Sequence, residues 1–317
     1  MNESSRNLLD ALTTQFFLEN YNYTYLDAML RKGKQLRRTG ATLITGSSYA
    51  LSGIKETAWN NAISCSMSSQ DLYYDFKCAY EVISSIPLHS VSKCFIVKGY
   101  YAGYQDLSMS KAERERVISN VYLPLFRDAH NWINPKEVDL FQTISARTEG
   151  ILSDDLKKLI QHMAADRILS YGAYYNPTRA RGGTIFNLNG REWYELPADE
   201  MDYLGKYRAD CHNKSMEHTE SIKENKEIFK DYVHFLHLNN ILPIFVIAPF
   251  SPYYTKYLFS EMRESIMELL DAASGEVHYI DFNQCDLFDA MDFVDTDHLS
   301  EIGAQKMSCL LADAFGK

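Results

Sequence analysis

Two short segments of the sequence together contain four residues that could catalyse acyl transfer or ester hydrolysis. An apolar run ends at Gly46 and is followed by Ser47 and Ser48, and Asp295 precedes His298 by three positions just before the last helical pattern. A carboxylate one turn away can accept a hydrogen bond from imidazole Nδ1–H, which leaves Nε2 free to deprotonate a serine hydroxyl. The pattern predicts nucleophilic catalysis in which Ser48 attacks, His298 acts as the base and Asp295 orients it.

The same residues also have a purely structural interpretation. Serine is favoured at the N-cap of a helix, so Ser47 or Ser48 would satisfy a free backbone N–H in either case. At the other end of the chain, His298 would be a helix-entry residue, and Asp297 is expected to be a loop or cap residue before Ser300. The catalytic interpretation depends on the serine and the Asp-x-x-His pair occurring together.

The elements that must position these residues are strands and helices in alternation. Several apolar runs are continuous rather than alternating, which is typical of a parallel sheet covered on both faces. Helical patterns lie between them, at 68–86, 221–240 and 300–315. We therefore predict an α/β fold, a three-layer α/β/α sandwich around a five-stranded parallel sheet. The predicted strands are 41–45, 61–64, 93–99, 242–249 and 277–282.

A large segment separates the third and fourth predicted strands. They lie roughly 140 residues apart, far more than a simple crossover needs. We predict one domain over residues 1–317, with 102–220 as an insertion that forms a lid near the carboxyl edge of the sheet. Within it, Arg179 and Arg181 either clamp an anionic substrate through bidentate contacts or belong to a solvated loop.

The order of these pieces resembles the SGNH (GDSL-type) hydrolase superfamily. The first sequence block of that family ends a strand in Gly-Asp-Ser, where this chain has Gly46-Ser47-Ser48. Its last block, Asp-x-x-His, matches Asp295 and His298. The resemblance covers the sheet framework but not the insertion. It implies a flavodoxin-like strand order and a Ser-His-Asp triad, and it is strongest to divergent Gly-Ser-Ser members linked to bacterial surface-polysaccharide modification.

The two middle blocks of the family supply the oxyanion hole. In the second block, Cys65 stands where the family has a glycine, so the resemblance implies that the N–H groups of Ser48 and Cys65 hold the oxyanion. In the third block the family has Gly-x-Asn-Asp, whereas this strand ends in Gly-Tyr-Tyr from Gly99 to Tyr101. The hydroxyl of Tyr101 is a substitute donor, and Gly99 and Tyr101 are expected at the substrate. Losing one oxyanion donor costs roughly 3–4 kcal/mol where it has been measured, which favours a specialised acyl-transfer member or an inactive one.

The resemblance implies a serine-dependent carbohydrate esterase or O-acyltransferase acting on a glycan. The alternative is a catalytically inactive glycan-binding or assembly module in polysaccharide biosynthesis. No cofactor is predicted, although a cytoplasmic transferase would draw its acyl group from acetyl-CoA. Cys211, His212, Glu217 and His218 resemble metal ligands, but no second ligand pair occurs at zinc spacing, so no metal site is predicted.

The net charge, the apolar content and the cysteine spacing of the chain argue against several classes of binding partner and location. The chain of 317 residues carries a formal net charge of −10, which argues against binding to nucleic acid or anionic membranes. No stretch is apolar enough to span a bilayer, and the first 20 residues read as an amphipathic helix rather than a signal peptide. The six cysteines show no CxxC spacing, which indicates reduced thiols and a cytoplasmic location. The oligomeric state is left open.

Overall fold

The computed structural model of the protein describes residues 3–37, 40–148, 152–171 and 185–316. The chain divides into two compact units, one formed by residues 1–32 with 107–175 and the other by 33–106 with 176–317. The segment predicted as a single insertion is therefore shared between the two units.

The secondary structure of the described residues alternates in the second unit and is helical in the first. The strands are β1 (Ala41–Gly46), β2 (Ala62–Ser64), β3 (Val91–Lys98), β4 (Leu242–Ile247) and β5 (His278–Asp281). The α-helices are α1 (Glu3–Glu19), α2 (Tyr21–Lys34), α3 (Ser48–Gly53), α4 (Leu72–Ile83), α5 (Lys111–Glu113), α6 (Leu123–Phe126), α7 (Gln142–Arg147), α8 (Asp154–Tyr171), α9 (Ala198–Asn213), α10 (Thr219–Leu238), α11 (Pro252–Thr255), α12 (Ser260–Ala272) and α13 (Glu301–Phe315). Between α5 and α6 the chain continues as a π-helix over Arg114–Tyr122.

The five strands form one parallel sheet in the order β2-β1-β3-β4-β5. This is the flavodoxin-like order, and it confirms the predicted fold and all five predicted strands. In such a sheet the carboxyl ends of the strands share one edge, and the chain reverses direction across the sheet between β1 and β3. The segments that follow β1 and β3 therefore emerge side by side.

The two faces of the sheet are covered by different helices, as β3 shows. Cys94 faces α10, with its Sγ 3.3 Å from the hydroxyl oxygen of Tyr232. The next residue, Phe95, faces the other way and packs edge-on against Phe315 of α13, with 5.9 Å between ring centroids. All four side chains except that of Phe315 are fully buried. Because both faces of a strand are buried, it carries a continuous apolar run rather than an alternating one.

The first unit has its own apolar contacts. Helix α1 buries one face, on which Phe16 stacks on Phe141 with 4.6 Å between ring centroids. An ion pair between Arg167 Nη2 and Asp10 Oδ1, at 2.7 Å, joins α8 to α1. The predicted amphipathic helix at the start of the chain is confirmed. No helix among the described residues is both long and apolar enough to cross a membrane.

Candidate active site

The turn after β1 requires the glycine that opens the Gly-Ser-Ser motif. Gly46 has a φ of +144°, and a Cβ at this position would overlap the carbonyl oxygen of Val97 on the neighbouring strand. Only glycine allows β1 to run this close to β3 and then turn. Ser47 caps α3 through its backbone carbonyl, which accepts from Ala50 N–H at 3.0 Å, and not through its side chain. Ser48 is thereby presented at the first position of the helix.

Ser48, His298 and Asp295 form a continuous hydrogen-bonded chain. The Nε2 atom of His298 lies 2.9 Å from Ser48 Oγ, and Nδ1 lies 3.1 and 3.2 Å from the two oxygens of Asp295. Asp295 is fully buried and also accepts the backbone N–H groups of Asp297 at 3.0 Å, His298 at 2.8 Å and Ile185 at 3.0 Å. These bonds fix the carboxylate, which as an acceptor places the proton on Nδ1 and turns the lone pair of Nε2 toward the serine.

The imidazole of His298 stands near two carboxylates. Its Nδ1 lies 3.1 Å from Asp295 and 3.7 Å from Asp297. Burial disfavours the imidazolium and lowers the pKa of His298, but the two carboxylates outweigh burial and the net shift is upward from 6.5. A charged His298 is therefore stabilised, as a general base that takes up a proton would require.

Asp297 is a buried partner of the site. It lies in the loop before Ser300, as expected, and Ser300 rather than Asp297 caps α13; the loop is buried at this point, and three side chains donate to the Asp297 carboxylate. Arg208 Nε donates to its two oxygens at 3.1 and 3.0 Å, Tyr49 OH at 2.8 Å and Thr296 Oγ1 at 2.7 Å. Burial raises the pKa of Asp297, but the charge of Arg208 outweighs burial and holds it well below its usual range. Asp297 is thus an ionised carboxylate that only accepts hydrogen bonds.

Helix α9 contributes two side chains that sequence analysis did not assign to the site. Gly205 lets the helix approach α11 closely, since a Cβ there would overlap the backbone of Tyr253. One turn later Arg208 reaches Asp297, and one turn after that His212 Nδ1 hydrogen-bonds Tyr254 OH. Burial, followed by the nearby charge of Arg208, lowers the pKa of His212 to about 3. The available signal was the spacing of four between Arg208 and His212, which places both on one helix face.

Cys65 is not an oxyanion donor, contrary to the prediction. Its N–H donates to the carbonyl oxygen of Ile44 at 2.8 Å, because the ladder between β2 and β1 extends one residue past β2. Ser48 N–H lies in the first turn of α3, where helical geometry offers it no acceptor, and none is found for it among the described residues. Of the two predicted main-chain donors, only that of Ser48 is available.

Two of the four residues predicted to contact substrate lie among the described residues. Gly99 makes room for an aromatic ring, since a Cβ there would lie 2.6 Å from Tyr49 Cε2. Tyr101 is half-buried, and its ring centroid lies 6.1 Å from that of Tyr49 and 4.1 Å from that of His212. Tyr101 thus packs beside Tyr49, whose ring centroid lies 5.3 Å from that of His298, and its contact with substrate stays a prediction. Arg179 and Arg181, the remaining two predicted contacts, lie outside the described residues.

A buried ion pair lies under the carboxyl ends of β2 and β3. Lys98 Nζ lies 2.5 Å from Asp75 Oδ2, and both side chains are almost fully buried. The same Nζ donates to the Gln70 carbonyl at 2.7 Å, and the Gln70 amide donates to Asp75 at 2.7 Å and to the Cys65 carbonyl at 2.9 Å. This network ties the loop after β2 to the end of β3. It holds in place the segment that follows β2.

Asp295, Asp297 and His298 bring ligand atoms within 4.8 Å of one another, a separation that a metal ion could bridge. The hydrogen bonding of the cluster fits another role. Asp297 is neutralised by Arg208, and Asp295 accepts three backbone N–H groups besides the imidazole. Acceptors that are already occupied by protein donors favour proton transfer over metal coordination at this cluster.

Comparison of the sequence with known proteins finds no match, either to a model of a protein family or to a curated protein. Function is therefore inferred from the geometry of the site and from the motifs in the sequence.

Proposed function

We propose that the protein is a serine-dependent ester hydrolase or O-acyltransferase. The observation that carries this proposal is the hydrogen-bonded chain from Ser48 Oγ through both ring nitrogens of His298 to Asp295. A nucleophile, a base within hydrogen-bond reach and a group that orients the base are the signature of covalent acyl chemistry.

The reaction has two halves, and His298 moves a proton in each. First, Ser48 Oγ attacks the acyl carbonyl as His298 Nε2 takes its proton, and the tetrahedral intermediate collapses when His298 returns that proton to the leaving group, which is an alkoxide from an ester or a thiolate from a thioester donor. Second, His298 deprotonates water or an acceptor hydroxyl, which attacks the acyl-serine ester and releases Ser48 with its proton restored. Water completes a hydrolysis and a hydroxyl completes a transfer. Asp295 stabilises the imidazolium that forms in each half.

The oxyanion of each tetrahedral intermediate would accept a hydrogen bond from the backbone N–H of Ser48. This donor is fixed by helix α3 and needs no rearrangement as charge develops. The family to which the motifs are similar has an Asn after β3, whereas Tyr101 lies at that end of the strand in this chain. Hydrolysis of simple esters is therefore expected to be slow relative to reaction with a substrate that binds through additional contacts.

The proposed substrate is an acylated glycan or a glycan that accepts an acyl group. Support comes from the resemblance to Gly-Ser-Ser proteins of surface-polysaccharide pathways and from the half-buried ring of Tyr101, which packs beside Tyr49 next to His298, because aromatic faces suit sugar rings. In the transferase form of the reaction, acetyl-CoA is the acyl donor that a cytoplasmic enzyme would use.

Labelling with a fluorophosphonate tests the proposal directly. The reagent phosphonylates an activated serine, and intact-mass analysis counts the adducts. We expect one adduct on the wild type and none on Ser48→Ala or His298→Ala, while Ser47→Ala keeps the adduct as the matched control. A folded wild type that stays unlabelled would overturn the proposed acyl chemistry.

The second candidate function is that of an inactive glycan-binding module. It is favoured because two of the oxyanion donors expected from the family resemblance are missing. No Asn follows β3, and the N–H of Cys65 donates to the carbonyl oxygen of Ile44. The same labelling experiment separates the two candidates, because a binding module would not react and would bind glycan equally well after Ser48→Ala.

A further inference from the structure

The guanidinium of Arg208 is held by the protein through one of its three nitrogens. Its Nε donates to both oxygens of the fully buried Asp297 carboxylate, at 3.1 and 3.0 Å. Nη1 and Nη2 have no hydrogen-bond partner among the described residues. The side chain is 22% exposed, and neither Nη1 nor Nη2 is a buried atom, so both nitrogens reach solvent. The fork of the guanidinium is therefore available to a ligand.

The two charges of this ion pair lie on different sides of it. Asp297 is on the buried side, where it also accepts hydrogen bonds from the hydroxyls of Tyr49 at 2.8 Å and Thr296 at 2.7 Å. The guanidinium is on the side that opens to solvent. One turn along α9, burial and then the charge of Arg208 lower the pKa of His212 to about 3, so this imidazole is neutral at neutral pH and adds no charge. The open side of the pair is therefore the positive one, and it attracts an anion.

The ion pair lies next to the base of the triad. Asp297 Oδ1 is 3.7 Å from Nδ1 of His298, and Nε2 of the same ring is 2.9 Å from Ser48 Oγ. Only two side chains, those of His298 and Asp297, thus separate Arg208 from the nucleophile. A small molecule that presents an acyl group to Ser48 can therefore extend as far as the guanidinium fork.

We infer that the Nη groups of Arg208 bind a carboxylate or phosphate of the substrate, so that the glycan is an acidic one. This inference rests on the proposed function and narrows its substrate class. The parallel N–H groups of a guanidinium fork match the two oxygens of a carboxylate or phosphate, whereas a neutral sugar hydroxyl offers a single oxygen and no charge. Sequence analysis considered Arg179 and Arg181 for such a clamp, and Arg208 offers the same chemistry within the described residues.

Protection against the fluorophosphonate tests the inference. The rate at which Ser48 is labelled is measured at neutral pH and constant ionic strength with increasing D-glucose, D-glucuronate or D-glucose 6-phosphate. We expect at least one of the two anions to halve the labelling rate at a concentration at least about tenfold below that of glucose, because hydrogen bonds between charged groups are the stronger ones. Glucuronate and glucose 6-phosphate distinguish a carboxylate from a phosphate as the source of the charge.

Two variants remove the fork. Arg208→Gln by itself would leave Asp297 as an unpaired buried charge, so it is combined with Asp297→Asn, which keeps the charge balance. In this double variant the anion should protect no better than glucose, to within about twofold. Arg208→Lys keeps a cation for Asp297 but loses the bidentate geometry, and it should retain an intermediate advantage of the anion. Because each ratio compares two sugars on the same protein, a change in the reactivity of Ser48 cancels.

The matched control is Lys206→Gln, which removes an exposed cation from the same helix, where it pairs with Asp210 at 2.7 Å, and should leave the ratio within about twofold. A wild type that is labelled but is protected no better by either anion than by glucose overturns this inference and leaves the proposed acyl chemistry intact. An advantage of the anion that survives in the double variant does the same. A wild type that is not labelled removes the proposed function itself, and this inference with it.

Discussion

Ser48 Oγ lies 2.9 Å from Nε2 of His298, although 250 positions separate the two residues along the chain. The parallel sheet explains this contact, because Ser48 follows β1 and His298 lies in the segment between β5 and α13, on the carboxyl side of both strands. The fold thus brings a hydroxyl and an imidazole together from the two ends of one unit.

The labelling rate should depend on pH through His298. Only the neutral imidazole can deprotonate Ser48, and its pKa is raised above 6.5, so labelling by a fluorophosphonate should rise with pH through a midpoint above 6.5 and then level off. Asp297→Asn removes one of the carboxylates that raise this pKa and leaves the cation of Arg208 uncompensated, and both effects lower it. The midpoint of Asp297→Asn should therefore move to lower pH. A midpoint that stays or moves upward would show that Asp297 does not act on His298.

Asp295→Asn should nearly abolish the reaction while the fold is kept. An amide nitrogen facing Nδ1 would favour the wrong imidazole tautomer, and the corresponding change in a well-studied triad lowers kcat about 10⁴-fold. We expect a fall of about 10³–10⁴-fold in the rate of labelling or ester turnover. Circular dichroism checks the fold, and Asp286→Asn, at an exposed carboxylate before the same segment, serves as the control. A loss smaller than tenfold would assign the orienting role to another group.

The sheet and the triad could be predicted because local patterns encode them. Continuous apolar runs marked the strands. The spacing of Asp295 and His298 is local in the sequence, so it could be recognised without knowing how the surrounding loops fold. The error at Cys65 arose from the length of a ladder, since one further backbone bond to Ile44 removes the N–H from the site. Which backbone groups a strand end uses depends on register, and register is a property of two strands together.

Arg208 and His212 show what the sequence could not reveal. They lie on a polar helix that reads as solvated, and their roles arise only because Gly205 allows α9 to pack against Tyr253. The partner of Arg208 is Asp297, 89 positions away, and no local pattern links the two. Asp297 is a loop residue, as expected, but its burial and its role could not be foreseen because its partners Tyr49 and Arg208 come from α3 and α9.

Lys98→Met should destabilise the protein strongly. It leaves Asp75 as an unpaired charge in the core, and breaking a buried ion pair from one side typically costs about 3–5 kcal/mol. Urea denaturation would measure the free energy of unfolding. Lys34→Met is the matched control, because Lys34 pairs with Glu81 at 2.8 Å on the surface and such pairs contribute about 0–1 kcal/mol. Equal losses in the two variants would mean that the Lys98–Asp75 pair is not buried as described.

Gly99→Ala should harm both stability and activity by displacing the ring of Tyr49. A Cβ at residue 99 would lie 2.6 Å from Tyr49 Cε2, and overpacking of this kind costs about 1–3 kcal/mol. The displaced ring would also pull its hydroxyl from Asp297, so the labelling rate should fall together with the free energy of unfolding. This links the glycine at the end of β3 to the triad through one aromatic side chain.

A double-mutant cycle separates this steric effect from a loss of substrate contact at Gly99. Tyr49→Leu removes both the clash and the hydroxyl, so adding Gly99→Ala to it should cost much less stability than Gly99→Ala costs the wild type. We expect a coupling free energy of about 1 kcal/mol or more, because the two side chains would compete for the same space. Additive losses of stability would show that Gly99 is not needed to accommodate Tyr49. Its role would then have to lie in direct contact with the substrate, as the sequence first indicated.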